Sequence, residues 1–279
     1  MSNFFKSTAL AFLGPEKYAE LREMRAELTS KRKFRKWEAT SEGKGNSRRL
    51  SELRGRESGR RIFVIGNGPS LNRTDLGLLR NEVTIGCNGL FLHFGKMGWV
   101  PTYYTVEDVL VAEDRGRQIA DIADSTKIIP RDLADKVPDS NAIWINFLRH
   151  YRGWPKFSTE LEQAAYWGGT VTFLNLQLAA FLGSREIYLI GVDHNYSTNM
   201  KLERDGTTWT SLESDPNHFH PDYFGKGFRW HDPMIERMET CYRYANRACQ
   251  ARGINIYNAT LGGKLDVFPR VEFNTLFSS

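Results

Sequence analysis

Four loops rich in Gly, Asn, Asp and His follow apolar runs of this 279-residue chain, and such residues suit phosphate or nucleotide binding. In the first, G-N-G-P-S at 66–70, Gly66 and Gly68 allow backbone N–H groups to approach a ligand closely. Asn67 and Ser70 add side-chain donors and acceptors. The loop matches neither G-x-G-x-x-G nor a P-loop. Its residues alone leave two interpretations, a structural tight turn or a nucleotide site.

Two further loops have residues of the same kind. Asn88 stands between glycines in T-I-G-C-N-G-L, where it could bind a base or ribose edge or serve as a left-handed turn residue. Gly168 and Gly169 precede an apolar stretch that predicts a helix, with Thr170 near its N-cap. Unpaired N–H groups and the helix dipole make such a terminus a natural phosphate site.

The fourth loop brings Asp193, His194, Asn195 and Tyr196 together after an apolar run. Structural capping needs only one such side chain, so the group predicts a binding or catalytic site. A polar stretch rich in Gly and Asp follows at about 197–229, and its length and composition predict a lid.

The lid region concentrates histidine. His218 and His220 would point the same way in an extended segment, and with Asp193 or Asp222 they could bind a metal ion. Because the spacing fixes no third close ligand, a general acid or base is the favoured interpretation.

His231 is the preferred base. It stands before a predicted helix at 232–252, with Asp232 as N-cap and Pro233 at the first helical position. A firm helix start suits a catalytic base better than a loop does, and His220 is the alternative.

The elements that position these loops follow from short apolar runs alternating with amphipathic stretches. This pattern predicts an α/β, Rossmann-like, doubly wound and mostly parallel sheet with helices on both faces, which binds ligands beyond the carboxyl ends of its strands. The predicted strands are 61–65, 82–87, 102–106, 127–130, 142–146, 186–190 and 255–258, and the predicted helices are 109–123, 170–182 and 232–252.

Charge divides the chain into two parts. Residues 1–61 hold 16 Lys and Arg against 8 Glu, whereas the whole chain carries +5, so the body is slightly acidic and nucleic acid is not an expected partner. We predict a basic helical extension at 1–60, with a helix at 15–39 and a linker or second helix at 40–60, before an α/β domain at 61–279 that carries the four loops. The basic helix is either a solvated face or a peripheral contact with anionic lipid or glycan.

Cellular location follows from cysteine and hydropathy. The three cysteines form no disulfide framework, and no apolar run is long enough to span a membrane. The sequence thus predicts a cytoplasmic protein, peripheral on the inner membrane face if the basic helix binds lipid, and it leaves a homo-oligomer open.

The motifs resemble the MptE-like family of motility accessory factors and 6-hydroxymethylpterin diphosphokinases and, more distantly, bacterial sialyltransferases that use CMP-sialic acid. The resemblance lies in G-N-G-P-S-L at 66–71, Cys87-Asn88, G-G-T-V at 168–171, I-Y-L-I-G-V-D at 187–193, and H-D-P with A-R-G-I-N-I-Y-N-A-T within 231–260. It covers most of 61–270 and omits the first 60 residues.

The sialyltransferase resemblance implies an inverting, metal-independent glycosyltransferase that moves an acidic sugar from CMP to a glycan or glycolipid acceptor. It assigns His231 as base and Tyr196 and Tyr223 to the departing phosphate. The same resemblance assigns the CMP site to Gly66, Asn67, Gly68, Ser70, Asn88, Gly168, Gly169 and Thr170, and the Gly-Val-Asp motif adds Asp193.

Two alternatives stay open. The first is an MptE-like diphosphokinase or phosphotransferase that uses ATP and Mg²⁺, with Asp193, His218, His220 and Asp222 as the metal cluster. The second is a non-catalytic nucleotide-binding scaffold.

Overall fold

The computed structural model describes residues 14–196, 202–205, 208–212, 215–224, 226–231 and 233–278. The strands are β1 Ile62–Ile65, β2 Val83–Cys87, β3 Tyr103–Thr105, β4 Thr126–Pro130, β5 Ile143–Ile145, β6 Phe147–Leu148, β7 Ala165–Tyr166, β8 Glu186–Ile190, β9 Leu202–Asp205, β10 Thr208–Ser211, β11 Arg229–His231 and β12 Asn255–Asn258. The α-helices are α1 Pro15–Glu38, α2 Ser41–Ser51, α3 Phe94–Met97, α4 Val109–Ala120, α5 Val171–Phe181 and α6 Ile235–Gln250. Short 3-10 helices are Pro69–Arg73, Leu76–Leu79, Leu90–His93, Arg131–Leu133 and Asn274–Phe277.

The central sheet is parallel and has the strand order β12-β8-β1-β2-β3-β4-β5. The chain runs outward from β1 to β5 and then returns to β8 on the other side of β1. The strand order therefore reverses between β1 and β8, which is where doubly wound sheets bind ligands. The structure confirms the predicted α/β Rossmann-like fold, and the seven predicted strands agree with the sheet to within one residue at each end.

Helices cover both faces of the sheet, which explains why its central strands are apolar throughout. Every residue of β1 and β2 is buried. One face packs against α5 and α6, and the other against α4 and the 3-10 helices that follow β1 and β2. All eleven residues of α5 are buried, so this helix lies inside the fold and its N-terminus is fixed firmly beside the strand ends.

The helical N-terminal region packs on the body through α2. Asn46 is 1% exposed, and its side-chain amide both donates to the Trp144 carbonyl at 2.9 Å and accepts from the Trp144 N–H at 2.7 Å. These bonds satisfy the outer edge of β5, and Leu50 and Leu53 join the buried core. Of the two interpretations for 40–60, the short second helix is correct.

The described part of the predicted lid is structured and packed. Strands β9, β10 and β11 form a small antiparallel sheet in the order β11-β10-β9, and Trp209 and Trp230 meet edge to face at 5.2 Å. The buried Arg115 on α4 donates to the carbonyl groups of Asp222 at 2.5 Å and Tyr223 at 3.0 Å. These bonds hold the segment around Asp222 and Tyr223 against α4, whereas movement of the predicted lid stays a prediction.

The start of α6 differs from the sequence prediction. The helix begins at Ile235 with Met234 as its N-cap, which makes no side-chain capping hydrogen bond. Pro233 therefore precedes the helix, and Asp232 lies outside the described residues. The reason is tertiary: His231 pairs with Thr208 in the small sheet, which keeps the chain extended to this point. Among the described residues, no helix is both long and apolar enough to cross a membrane.

Candidate active site

A cavity of about 520 Å³ lies at the switch point of the sheet, between the strand ends and residues 215–231. It is bounded by segments that are far apart in the chain, since β1, β2, β3 and β8 all end here. Most of the sequence-predicted site residues line it: Gly66, Asn67, Gly68, Asn88, Gly169, Thr170, Asp193, Tyr196, Tyr223 and His231. Ser70, Gly168 and His220 do not line it.

The loop after β1 is held closed by Asp193. The Ser70 N–H donates to Asp193 Oδ1 at 3.1 Å, and the Ser70 hydroxyl donates to Oδ2 at 2.6 Å. The Gly68 N–H donates to the Gly191 carbonyl at 2.8 Å. A Cβ on Gly68 would overlap the Asp193 carboxylate, so only glycine allows this approach. In this arrangement Asp193 and Ser70 build the loop, and the loop presents Asn67 to the cavity.

Two asparagine side chains, one after β1 and one after β2, line the cavity and each has a buried, unpaired amide oxygen. Asn67 donates from Nδ2 to the Cys87 sulfur at 3.3 Å, whereas its Oδ1 has no partner among the described residues. Asn88 Oδ1 is likewise without one, and its backbone adopts φ of 51°. Asn88 is thus both the left-handed turn residue and a cavity side chain, so the two interpretations from the sequence are compatible. A buried unpaired acceptor is costly, and both oxygen atoms lie beneath the cavity surface.

The N-terminus of α5 forms another part of the wall. Thr170 caps the helix by accepting from the Thr172 N–H at 3.3 Å, and Gly169 has φ of 86°. Gly168 faces away from the cavity, because a Cβ there would overlap the Phe173 ring. The first turn of a long buried helix therefore points into the site, where its dipole favours negative charge.

His231 is paired with a carboxylate of the cavity wall just beyond β3. Its Nδ1 lies 3.3 Å from Asp108 Oδ2, and Asp108 Oδ1 also caps α4 by accepting from the Leu110 N–H at 2.8 Å. The hydrogen bond to Asp108 raises the pKa of His231 above its ordinary value, although burial opposes the shift. Because Nδ1 faces Asp108, Nε2 is the ring nitrogen left to act on a substrate.

Beside this pair lies a buried carboxyl group. Glu107 is 5% exposed, and burial raises its pKa to about 7, against the opposing effect of Arg149. Arg149 Nη1 lies 3.4 Å from Glu107, and Arg149 Nε donates to Asp132 at 2.6 Å. The carboxyl groups of Glu107 and Asp108, the His231 imidazole and the Arg149 guanidinium thus converge where β3 and β6 end.

A second histidine–carboxylate pair lines the cavity from above. His218 Nδ1 lies 2.6 Å from Asp215 Oδ2, and the His218 ring stacks on Tyr223 with centroids 4.0 Å apart. Tyr223 is buried, which raises its pKa, and its hydroxyl accepts from the Gly89 N–H at 3.5 Å. Burial also raises the pKa of Tyr196 to about 12, so both tyrosines keep their hydroxyl protons at neutral pH.

The four residues of the proposed metal cluster do not converge. Asp193 binds Ser70, His218 binds Asp215, and His220 Nδ1 lies 3.9 Å from Asp222 outside the cavity. Among the described residues, no group of three or more His, Cys, Asp or Glu is arranged to hold a metal ion.

Sequence reasoning missed several cavity residues, chiefly Glu107, Asp108, Arg149 and Trp230, and it missed Asp215, the buried partner of His218. The rule that found Asp193 applies equally to Glu107 and Asp108, since both follow the apolar strand β3. No comparable local signal marks Arg149, which follows the two-residue strand β6, or Trp230 within the small sheet.

Comparison with known proteins places the chain in a family. Among solved structures, the sialyltransferase CstII from Campylobacter jejuni, in complex with the substrate analogue cytidine-5'-monophosphate, aligns with 14% identity and a TM-score of 0.35. That alignment covers 78% of this chain and 86% of that one, and it is too remote to bear on function. No curated protein matches the chain. The model of the family described as 6-hydroxymethylpterin diphosphokinase MptE-like matches residues 41–199, which include α2 and most of the loops at the strand ends, and the chain belongs to this MptE-like family.

Proposed function

We propose that this protein is an inverting glycosyltransferase that moves an acidic sugar, a nonulosonate or Kdo, from a CMP donor to a hydroxyl group of a glycan or glycolipid. The observation that carries the proposal is the His231–Asp108 pair, which lines the same cavity as the glycine- and asparagine-rich loops after β1 and β2. A base oriented by a carboxylate, with a donor site within the same cavity, is what hydroxyl activation requires.

These loops and the start of α5 support a donor with a phosphate group. The amide side chains of Asn67 and Asn88 line the cavity and suit the polar edges of a base or ribose, and the N-terminus of α5 at Thr170 suits the phosphate. The resemblance of these loops to those of CMP-dependent sialyltransferases is the reason for proposing cytidine. Tyr196 and Tyr223 line the same cavity and add hydroxyl groups to it.

The proposed reaction uses His231 as the base and the phosphate of the donor as the leaving group. His231 Nε2 takes the proton of the acceptor hydroxyl as its oxygen attacks the anomeric carbon. The bond from that carbon to the phosphate oxygen breaks, and its electron pair leaves with CMP. Attack from the face opposite the leaving group inverts the anomeric centre. Cover by residues 215–231 supports this chemistry because exclusion of water protects the donor from hydrolysis.

The outer face of α1 supports a glycolipid acceptor at an anionic surface. Leu21 and Leu28 are 44% and 60% exposed and lie one heptad apart, with Lys17 and Arg32 exposed on the same face. Such an arrangement suits peripheral binding to lipid headgroups. Co-sedimentation with phosphatidylglycerol vesicles checks this contact, and equal binding by Leu28→Asp would contradict it.

The second candidate is an ATP-dependent diphosphokinase, which the description of the matched family favours. Glu107 and Asp108 line the cavity and are carboxyl groups of the kind that bind Mg²⁺ together with nucleotide phosphates. Their fit to a metal is poor, because Asp108 caps α4 and pairs with His231, and Glu107 lies beside Arg149. Under this reading His231 would take the proton of the hydroxyl that receives the diphosphoryl group.

One experiment separates the candidates. The protein is incubated with CMP-N-acetylneuraminate or CMP-Kdo and an acceptor glycan, and CMP release is measured with and without EDTA. We expect release that EDTA leaves unchanged and that His231→Ala lowers about 10²–10⁴-fold. Activity with ATP that EDTA abolishes would favour the diphosphokinase. Absence of CMP binding by calorimetry would refute the glycosyltransferase proposal, and unchanged turnover in His231→Ala would show that His231 is not the base.

A further inference from the structure

The buried carboxylate of Asp215 holds the side chain of His218 in one orientation. Asp215 is buried, and besides His218 it accepts from the Asn217 N–H at 2.8 Å and the Phe224 N–H at 3.1 Å. Its carboxylate is therefore fixed in place by the backbone on both sides, and it fixes His218 in turn.

Ring contacts determine the plane of the His218 imidazole. It stacks on Tyr223 with an interplanar angle of 4°, and Phe224 meets it edge on at 5.1 Å. Nδ1 faces Asp215, the side chain is 15% exposed, and the residue lines the cavity. Nε2 is therefore the nitrogen left to contact a ligand. This is a positioned functional group, since burial of a hydrophobic surface alone would not need the buried carboxylate.

Contacts of the neighbouring residues show where His218 lies in the cavity. The next residue, Phe219, donates its N–H to the Asn67 carbonyl at 3.0 Å and accepts from Asn72 Nδ2 at 2.7 Å. Tyr223, beneath the imidazole, accepts from the Gly89 N–H. His218 thus lies over the loops that follow β1 and β2, whereas His231 is held on α4 at the end of β3.

We propose that His218 contacts the phosphate of the nucleotide donor and stabilises the charge that develops there as the donor breaks, an inference that rests on the proposed function. In the imidazolium form both ring nitrogens carry hydrogen, so Nδ1–H donates to Asp215 and Nε2–H donates to a phosphate oxygen. His218 transfers no proton in this step. The departing phosphate takes the electron pair of the broken bond, and His231 alone accepts the proton of the acceptor hydroxyl. The two histidines therefore divide the work between leaving group and nucleophile.

The test compares ligands with and without the phosphate. Calorimetry measures CMP and cytidine binding to the wild-type protein and to His218→Gln, with His220→Gln as a matched control two residues away and outside the cavity. We expect His218→Gln to weaken CMP binding about 10- to 100-fold, the range for loss of a charge-assisted hydrogen bond, and to leave cytidine binding unchanged. Asp215→Asn should weaken CMP selectively to a smaller extent, and His220→Gln should change neither ligand.

The outcomes distinguish this inference from the proposed function. Unchanged cytidine binding shows that the variant is folded, so an unaltered CMP-to-cytidine affinity ratio in His218→Gln would overturn the role of His218 and leave the glycosyltransferase proposal standing. If the wild-type protein binds AMP instead of CMP, the proposed donor is wrong, and the same comparison with AMP and adenosine tests His218. Equal weakening of nucleotide and nucleoside would reduce His218 to a structural role.

Discussion

Replacing Asp108 with Asn separates two roles that one carboxylate performs. Asp108 Oδ1 caps α4 through the Leu110 N–H at 2.8 Å, and Oδ2 lies 3.3 Å from His231 Nδ1. Asn caps helices about as well as Asp, so Asp108→Asn keeps the cap and removes only the negative charge beside the imidazole. The free energy of unfolding should change by less than about 0.5 kcal/mol.

The effect on turnover should be much larger. An Asn amide can donate to Nδ1, which places the ring hydrogen on Nε2, the nitrogen that must accept the proton from the acceptor. Loss of a general base costs about 10²–10⁴-fold in rate, and kcat should fall within this range. Donor affinity should change little, because the groups proposed to hold the nucleotide come from the loops after β1 and β2 and from the N-terminus of α5. Asp108→Ala is the control, since it also removes the cap and should cost about 0.5–2 kcal/mol of stability.

The pH profile adds an independent measurement. A base must be neutral, so activity should rise with pH through the pKa of His231, which the Asp108 carboxylate holds above its ordinary value. Without that carboxylate the pKa falls, and the rising limb of the residual activity should move to lower pH. Steady-state CMP release from about pH 5 to about pH 9 covers the range in which histidine titrates. A kcat within about twofold of wild type, with an unmoved limb, would refute the role of the pair.

Three further predictions test the site and the fold. Gly68→Ala should abolish CMP binding in calorimetry because the added Cβ would overlap the Asp193 carboxylate, whereas Gly45→Ala, which has open space, should bind normally; normal binding by Gly68→Ala would show that the loop does not hold the nucleotide. Burial raises the pKa of Glu107 from 4.5 to about 7. The folded state therefore binds this proton more tightly than the unfolded chain does, and the free energy of unfolding should fall by roughly 3 kcal/mol as the pH rises from the lower pKa to the higher one. Urea unfolding of wild type and Glu107→Gln should therefore diverge across this range, and parallel profiles would contradict the burial argument. Asn46→Ala leaves two buried backbone groups of β5 unpaired and should lower the free energy of unfolding by about 2–4 kcal/mol in the same assay. An unchanged free energy of unfolding would show that these bonds between α2 and β5 do not stabilise the fold.

Much of the fold could be predicted because its signals are local. The continuous apolar character of β1 and β8 reflects burial on both faces, and the Gly-rich loops after them mark the strand ends. Parallel strands end at the same edge of a sheet, so loops such as 66–70 and 193–196 could be expected to meet before the structure was known. The start of α6 could not be predicted, because pairing between β10 and β11 overrides the local helix signals at Pro233.

The sequence by itself determined the doubly wound sheet, the edge at which the site lies and the family to which the chain belongs, because these depend on periodicity and on residues adjacent in the chain. Only the tertiary structure decided which groups act together. His231 and Asp108 are 123 residues apart, and their pairing depends on how a small antiparallel sheet packs on α4. His220, a candidate base by type, lies outside the cavity, whereas His218, two residues earlier, faces into it on a buried carboxylate. The physical reason is that side-chain direction in an irregular segment follows long-range contacts, here with Asn67, Gly89 and Arg115, which no local pattern encodes.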